Sequence, residues 1–239
     1  MNLKNGSQNI LWEKYGKRTL LVVDHEKILV EGQTEEKFIK ELLVPYFENK
    51  SIYLVPIIVS TSRRKSGSKY KGGVVSFGQI KSELLKRLKD SSASMVTTMI
   101  DYYGLDNSFQ GKGDTNIPSN LYEKIQFLEN RFSTEIKHSK FCPYYQLHEF
   151  ETVLFSDQDS LASVLKKTNE IQSIFRDFTN PEEINDNRET APSKRILKIY
   201  PKYQKVTDGI IISKKIGIEK IRQKCNHFND WITSMEKRG

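Results

Sequence analysis

Three short apolar runs, separated by two amphipathic stretches, set the frame of the first hundred residues. Lys27–Glu31 reads as a strand, and Gly32 ends it. From Thr34, a good N-cap, Phe38, Ile39, Leu42, Leu43 and Tyr46 recur at spacings of three and four. That spacing predicts an amphipathic helix over 34–47, with Pro45 near its end. Ile52–Val59, rich in Val, Ile and Tyr, reads as a second strand. Ser76 is placed to cap a helix over 77–90 that turns Ile80, Leu84, Leu85 and Leu88 inward. Met95–Ile100 is the third strand. The order β-α-β-α-β implies parallel strands with right-handed crossovers, hence the α/β class.

The pattern beyond residue 100 is less regular. A Gly- and Asn-containing loop covers 104–117, a helix Asn120–Phe132, and a fourth strand Lys140–Leu147. His148-Glu149-Phe150-Glu151 opens a helix through Phe155. Residues 160–177 read as helical, Phe178–Pro192 as a polar, loop-rich linker, and Ser193–Lys237 as mostly helical. Before the first strand, 1–18 is a lead-in without periodicity, and Thr19–Val23 an apolar run suited to an edge strand. The expected layout is a lead-in at 1–18, an α/β core at 19–157 and a helical region over 158–239 packed on that core.

Composition narrows the class only slightly. The chain has 239 residues, 37% of them hydrophobic and 28% charged, enough for a core and a hydrated surface. No apolar stretch approaches the length that spans a bilayer, and Met1–Gly16 lacks the apolar centre of a signal peptide, so a cytoplasmic location is the default. The two cysteines, Cys142 and Cys225, lie in no CxxC or CxxH spacing, which argues against zinc. The net charge of +8 raises the odds of a polyanionic partner such as nucleic acid.

The candidate chemistry lies where strands end. Glu31 follows the first strand, and Gly32 allows a sharp turn there. The helix beginning at Thr34 directs N–H groups to the same place, which favours anions. Glu35 is one helical step in, and Glu36 reads as solvent-facing. Asp101 ends the third strand ahead of Tyr102-Tyr103-Gly104. A carboxylate there needs water, a hydrogen bond or a metal. Ligands of open α/β sheets bind beyond the carboxyl ends of the strands, and two carboxylates there can hold a divalent cation. The alternative for Glu31 is a carboxylate that complements the helix dipole, and for Asp101 a cap of the following loop. Asp106 is a further candidate ligand. Glu149 and Glu151 are two apart, so on a helix only one of them reaches a shared metal, while His148 suits a proton donor or a phosphate contact. The segment 60–73 carries Arg63, Arg64, Lys65, Lys69 and Lys71 among Ser and Gly, and reads as a basic loop able to clamp phosphates. The tyrosines at 102 and 103 suit base stacking or plain packing. No Ser/His/Asp triad, Cys nucleophile or nucleotide-binding glycine pattern emerges.

The run Val30-Glu31-Gly32-Gln33-Thr34-Glu35, with a later strand ending in Asp101, resembles the Toprim fold of topoisomerases, primases and overcoming-lysogenization-defect nucleases. More narrowly, the chain resembles the bacterial domain-of-unknown-function family 4276. The matching pieces are Val30–Glu36, Gly72–Ser76, Thr97–Gly104, His148–Glu151 and Ile216–Trp231. The resemblance implies a Toprim-like parallel core and a Mg²⁺ (or Mn²⁺) site formed by a Glu after the first strand and a DxD after a later one. It also implies a genomic link to an ATPase in anti-phage defence. One departure is plain: the second DxD acid would stand at 103, which is Tyr103. The further ligand then has to come from Asp106, Glu149 or Glu151. The resulting expectation is a metal-dependent nuclease acting on DNA or RNA. Glu31, Glu35, Asp101 and Glu149 would be catalytic, Glu31, Asp101, Asp106, Glu149 and Glu151 would supply the metal ligands, and Arg63, Arg64, Lys65, Lys69, Lys71 and His148 would hold nucleic acid. The alternative is a non-catalytic nucleic-acid-binding or regulatory subunit of an ATPase-containing defence complex, with primase-type nucleotidyl transfer a third reading. The expected partners are nucleic acid, an ATPase protein and a second copy of the chain, with no membrane.

Overall fold

The computed structural model describes residues 25–59, 76–185 and 187–237. The expected lead-in at 1–18, the run Thr19–Val23 and the whole basic loop 60–73 lie outside the described residues.

Among the described residues a five-stranded sheet in which every pairing is parallel carries the molecule. Its strands are β1 (His25–Val30), β2 (Tyr53–Ile58), β3 (Ala93–Asp101), β4 (Phe141–Cys142) and β5 (Tyr145–Gln146). The order is β2-β1-β3-β4, with β5 also on β3. From β1 the chain builds β2 on one side and β3 on the other. The boundary between β1 and β3 is therefore a topological switch point, where such sheets open a crevice beyond their carboxyl ends. Val30 pairs with Met99, which sets the end of β1 beside the end of β3.

Both faces of the sheet are covered, as continuous apolar runs in parallel strands require. Ile28, Val30, Met95 and Met99 join one core with the helix over 33–48 and the C-terminal helices. Leu29, Val96 and Ile100 join the other, with α3 (Phe77–Leu88) and α4 (Leu121–Ile136). Polar positions of the buried strand find partners. The indole of Trp231 donates to Thr97 Oγ1 at 2.9 Å, and Thr98 Oγ1 both accepts from the Tyr144 amide and donates to the Tyr144 carbonyl. Pro56 sits on the edge strand β2, where a missing donor costs nothing.

Several elements differ from the sequence reading, each for a physical reason. The first helix runs over 33–48 as α1 (Gln33–Phe38), a π turn (Ile39–Leu43) and α2 (Val44–Glu48). Pro45 has no N–H for the carbonyl four residues back, and the π turn before it takes up the mismatch. Its N-cap is Gly32, not Thr34, which is buried. Ser76 does cap α3, in a capping box with Gln79, but Leu85 is 40% exposed. The strand expected over 140–147 is split into β4 and β5 around Pro143, where the Thr98 hydroxyl replaces ladder hydrogen bonds at Tyr144. Residues Phe150–Ser156 form a 3₁₀ helix, and 160–177 is broken at left-handed Lys166 into α5 (Gln158–Leu165) and α6 (Thr168–Phe175).

The polar stretch 178–192 is not an exposed linker. Glu182 is fully buried and accepts from the backbone amides of His227 and Phe228 and from the Tyr122 hydroxyl. It thereby closes the open N-terminus of α10 (Asn226–Glu236). α7 (Pro192–Ile199), α8 (Ile210–Ile216) and α9 (Ile218–Lys224) complete the helical region. Among the described residues no helix is long and apolar enough to cross a membrane.

Candidate active site at the carboxyl ends of two central strands

Glu31 is the first residue beyond β1, and Asp101 is the last of β3. The pairing of these strands brings the two together. The Asp101 amide donates to Glu31 Oε2 at 3.1 Å. Two glycines make room for the acids. A Cβ at Gly104 would stand 3.1 Å from Glu31 Oε1, and one at Gly32 would stand 3.3 Å from Glu35 Oε2. Glu35, in the first turn of α1, adds its carboxylate from the same edge. Glu151 enters from the 3₁₀ helix and is 1% exposed.

An ammonium that sequence reasoning missed stands among them. Lys205 Nζ lies 3.3 Å from Glu35, 3.4 Å from Asp101 and 3.5 Å from Glu151. It opens a π-helical turn, Lys205–Gly209, that docks on the 3₁₀ helix. A Cβ at Gly209 would come within 2.9 Å of the Tyr203 hydroxyl and 3.0 Å of the Phe150 ring. The Tyr203 hydroxyl in turn donates to Glu151 Oε1 at 3.3 Å. The glycine was the one local sign of this arrangement, since Lys205 sits in an ordinary polar stretch.

The electrostatics follow from crowding acids under cover. Burial pushes the Glu31 carboxyl up to about 7; the Asp101 amide and Lys205 pull against it, and Glu35 adds to it. Burial likewise pushes Glu151 up to about 7 against the pull of Lys205. Asp101 is raised well above the usual range, first by burial and then by its neighbouring acids, against Lys205. For Lys205, burial lowers the affinity for its proton, but Asp101, Glu151 and Glu35 together hold it well above the ordinary value. Asp101 Oδ1 and Glu151 Oε2 are buried without a hydrogen-bond partner among the described residues.

The other candidates divide. Glu149 borders the cluster: its charge acts on Glu151 and Lys205, while its Oε1 accepts from the Ser193 amide at 2.5 Å. Of the two acids only Glu151 stands within ion-pair distance of Lys205, while Glu149 is the extended N-cap of the 3₁₀ helix. Asp106 is turned away. It is exposed and accepts from the amide and hydroxyl of Ser108 at 2.8 and 2.5 Å, so it closes a loop and does not join the acids. His148 also departs from expectation. It is 1% exposed, and its ring is engaged on both sides. Nε2 lies 2.7 Å from the Glu182 carbonyl, which can only accept, so in the neutral ring Nδ1 accepts from the Tyr103 hydroxyl at 3.1 Å. Its backbone is left-handed, with φ at 60°, and its carbonyl accepts from the Tyr103 amide. Tyr103, standing where an acid was expected, thus anchors this inner network instead of facing the cluster. Arg63, Arg64, Lys65, Lys69 and Lys71 lie outside the described residues. Beside the cluster, a cavity of about 420 Å³ is lined by Tyr102, Tyr103, Lys124, His148, Asn185 and Arg195 among others.

The donors suit a hard divalent cation, because they are all carboxylate oxygens and two of those oxygens are buried without hydrogen bonds among the described residues. As placed, no three His, Cys, Asp or Glu side chains among the described residues stand together as a metal-binding group, and the Lys205 ammonium takes the shared position.

A solved structure of the C-terminal region of the Xanthomonas campestris pv. campestris OLD protein is similar at 16% identity and a TM-score of 0.35, over 88% of this chain and 97% of that one. No curated protein matches the chain. The pattern of the family described as domain of unknown function DUF4276 matches residues 30–236. That span covers most of the chain, and the protein belongs to the DUF4276 family.

Proposed function

We propose that this protein is a metal-dependent nuclease with a Toprim-like core. The observation that carries the reading is the convergence of Glu31, Glu35, Asp101 and Glu151 at the switch point between β1 and β3. Glu31 and Asp101 would hold Mg²⁺ or Mn²⁺, with Glu35 and Glu151 completing the oxygen set and Glu149 at its border. When bound, such an ion supplies Lewis-acid stabilisation of a phosphoryl group and activation of water. Glu35 and Glu151 are buried and Glu31 and Asp101 half-buried beside them, an arrangement that favours a cation over solvent. The net charge of +8 and the basic segment 63–71 support nucleic acid as the substrate class. An ATPase partner and a role in anti-phage defence belong to the same proposal.

The test is cleavage of plasmid DNA and of structured RNA in Mg²⁺, Mn²⁺ or EDTA. Glu31→Gln keeps the acceptor oxygen for the Asp101 amide, so the fold is expected to survive while cutting is lost. Metal-dependent cutting that persists in Glu31→Gln would sink the assignment.

One observation favours a second reading. The Lys205 ammonium already neutralises part of the cluster, and Tyr103 stands where a metal-binding acid was expected. A regulatory, nucleic-acid-binding subunit with a closed site would look like this. It would bind nucleic acid in a salt-sensitive manner that EDTA leaves unchanged.

A further inference from the structure

A lysine at the centre of a candidate metal site is either part of the chemistry or an obstacle to it. We propose that Lys205 is an exchangeable internal cation: its ammonium holds Glu35, Asp101 and Glu151 together in the metal-free protein and leaves them when a divalent ion binds. The inference rests on the metal-site reading above.

The distances describe a shared counter-ion and not a dedicated ion pair. Charge-assisted N–H···O bonds settle at about 2.7–2.9 Å. Lys205 Nζ instead stands 3.3, 3.4 and 3.5 Å from three carboxylates. It satisfies none of them fully. Asp101 Oδ1 and Glu151 Oε2 remain buried without hydrogen-bond partners among the described residues, as acceptors open to a stronger cation. A dication on those same oxygens would sit within a few ångströms of the ammonium. Two positive charges so close, under cover from water, repel strongly. One of them must yield.

The packing indicates which. The side chains of Glu35 and Glu151 are 6% and 1% exposed, so the acids cannot withdraw without unpacking the core. The Lys205 side chain is 34% exposed and so has a path to water. Its backbone begins a π-helical turn, an uncommon form that recurs at functional sites. It follows extended Gln204, so no α-helical turn precedes the lysine to fix its direction.

The experiment is Mn²⁺ titration by calorimetry of the purified full chain, with thermal unfolding recorded with and without Mn²⁺. Wild type, Lys205→Met, Lys205→Gln and the exposed control Lys202→Met are compared. Removing the competing charge is expected to tighten Mn²⁺ binding about tenfold or more in both Lys205 variants, given the strength of like-charge repulsion at such distances. Without metal, Lys205→Met is expected to melt below wild type, and to gain more from Mn²⁺ than wild type does. Lys202→Met should match wild type in both. Should one Lys205 variant fail to fold, the other carries the same expectation. Binding by wild type that is unchanged or weaker in the Lys205 variants would overturn the exchange while leaving the metal site standing. Binding by none of the four proteins would remove both.

Discussion

The carboxylate of Glu31 occupies space that any side chain at position 104 would need. A Cβ there would stand 3.1 Å from Oε1, closer than side chains ordinarily pack, and 3.4 Å from Oε2. Gly104→Ala should therefore shift Glu31 by a few tenths of an ångström and cut the proposed nuclease activity far more than stability. Activity and the urea midpoint, measured on the same preparation, check this. A large loss of stability with retained cutting would show that the glycine serves the turn and not the site. The raised acids make a second residue-scale prediction. Glu31 and Glu151, at about 7 when folded, return to an ordinary value near 4.5 when the chain unfolds. Between those values the folded state holds protons that the unfolded chain has released, so stability falls as pH rises through that window. For His227, burial lowers the pKa but Glu129 more than offsets it. Its raised value acts in the same direction, because that stability is also lost on going alkaline. Acids held low, such as Asp90 and Glu236, titrate below the window. Metal-free protein should unfold at lower urea at about pH 8 than at about pH 5. A midpoint that rises over that range would refute the account of a partly protonated cluster.

At the scale of elements, the π turn Lys205–Gly209 decides whether the cluster has its ammonium. Gly209 lets it approach Phe150 and Tyr203. In Gly209→Ala the new methyl would meet the ring and the hydroxyl at about 3 Å, so a loss of about 1–3 kcal/mol from overpacking is expected in urea unfolding. A loss below a few tenths of a kcal/mol would mean that the turn is free to shift. The same turn marks the limit of what the sequence makes legible. The alternation of strand and helix from Lys27 to Ile100 was readable, because each element is specified by residues within one window. Glu31 and Asp101 were readable as partners, because parallel topology alone sends both strand ends to one edge. Which strands lie side by side was not readable, because β1–β3 adjacency is a matter of pairing and not of periodicity. Lys205 was not readable either, since it meets Asp101 across 104 positions and Gly209, the one local sign, does not name the partner. Glu182 failed in the same way: its polar surroundings read as a linker, while its partners lie at Tyr122, His227 and Phe228.

Across the whole molecule, the boundary expected near residue 157 separates segments that share one core. Ile28, Val30, Met95 and Met99 of the central strands pack in the same cluster as Ile210, Ile212, Phe228, Trp231 and Ile232. The Trp231 indole also satisfies Thr97 inside the sheet, and Glu182 ties α4 to α10 through Tyr122. A chain ending at residue 157 would uncover four fully buried strand side chains, each worth about 1.5–3 kcal/mol. Whole domains are stable by only about 5–15 kcal/mol, so losses of this size are enough to unfold the remainder. It would also lose Lys205, leaving Glu35, Asp101 and Glu151 without their common cation. The fragment 1–157 is therefore expected to lack a cooperative unfolding transition by circular dichroism and to show poorly dispersed amide resonances. A sharp transition with well-dispersed amides would establish 19–157 as an independent domain, and the helical region would then be an appendage. The site as built argues otherwise: its acids come from just beyond β1, from α1, from the end of β3 and from the 3₁₀ helix, and its ammonium from beyond residue 200, so the cluster exists only when both parts of the chain have folded together.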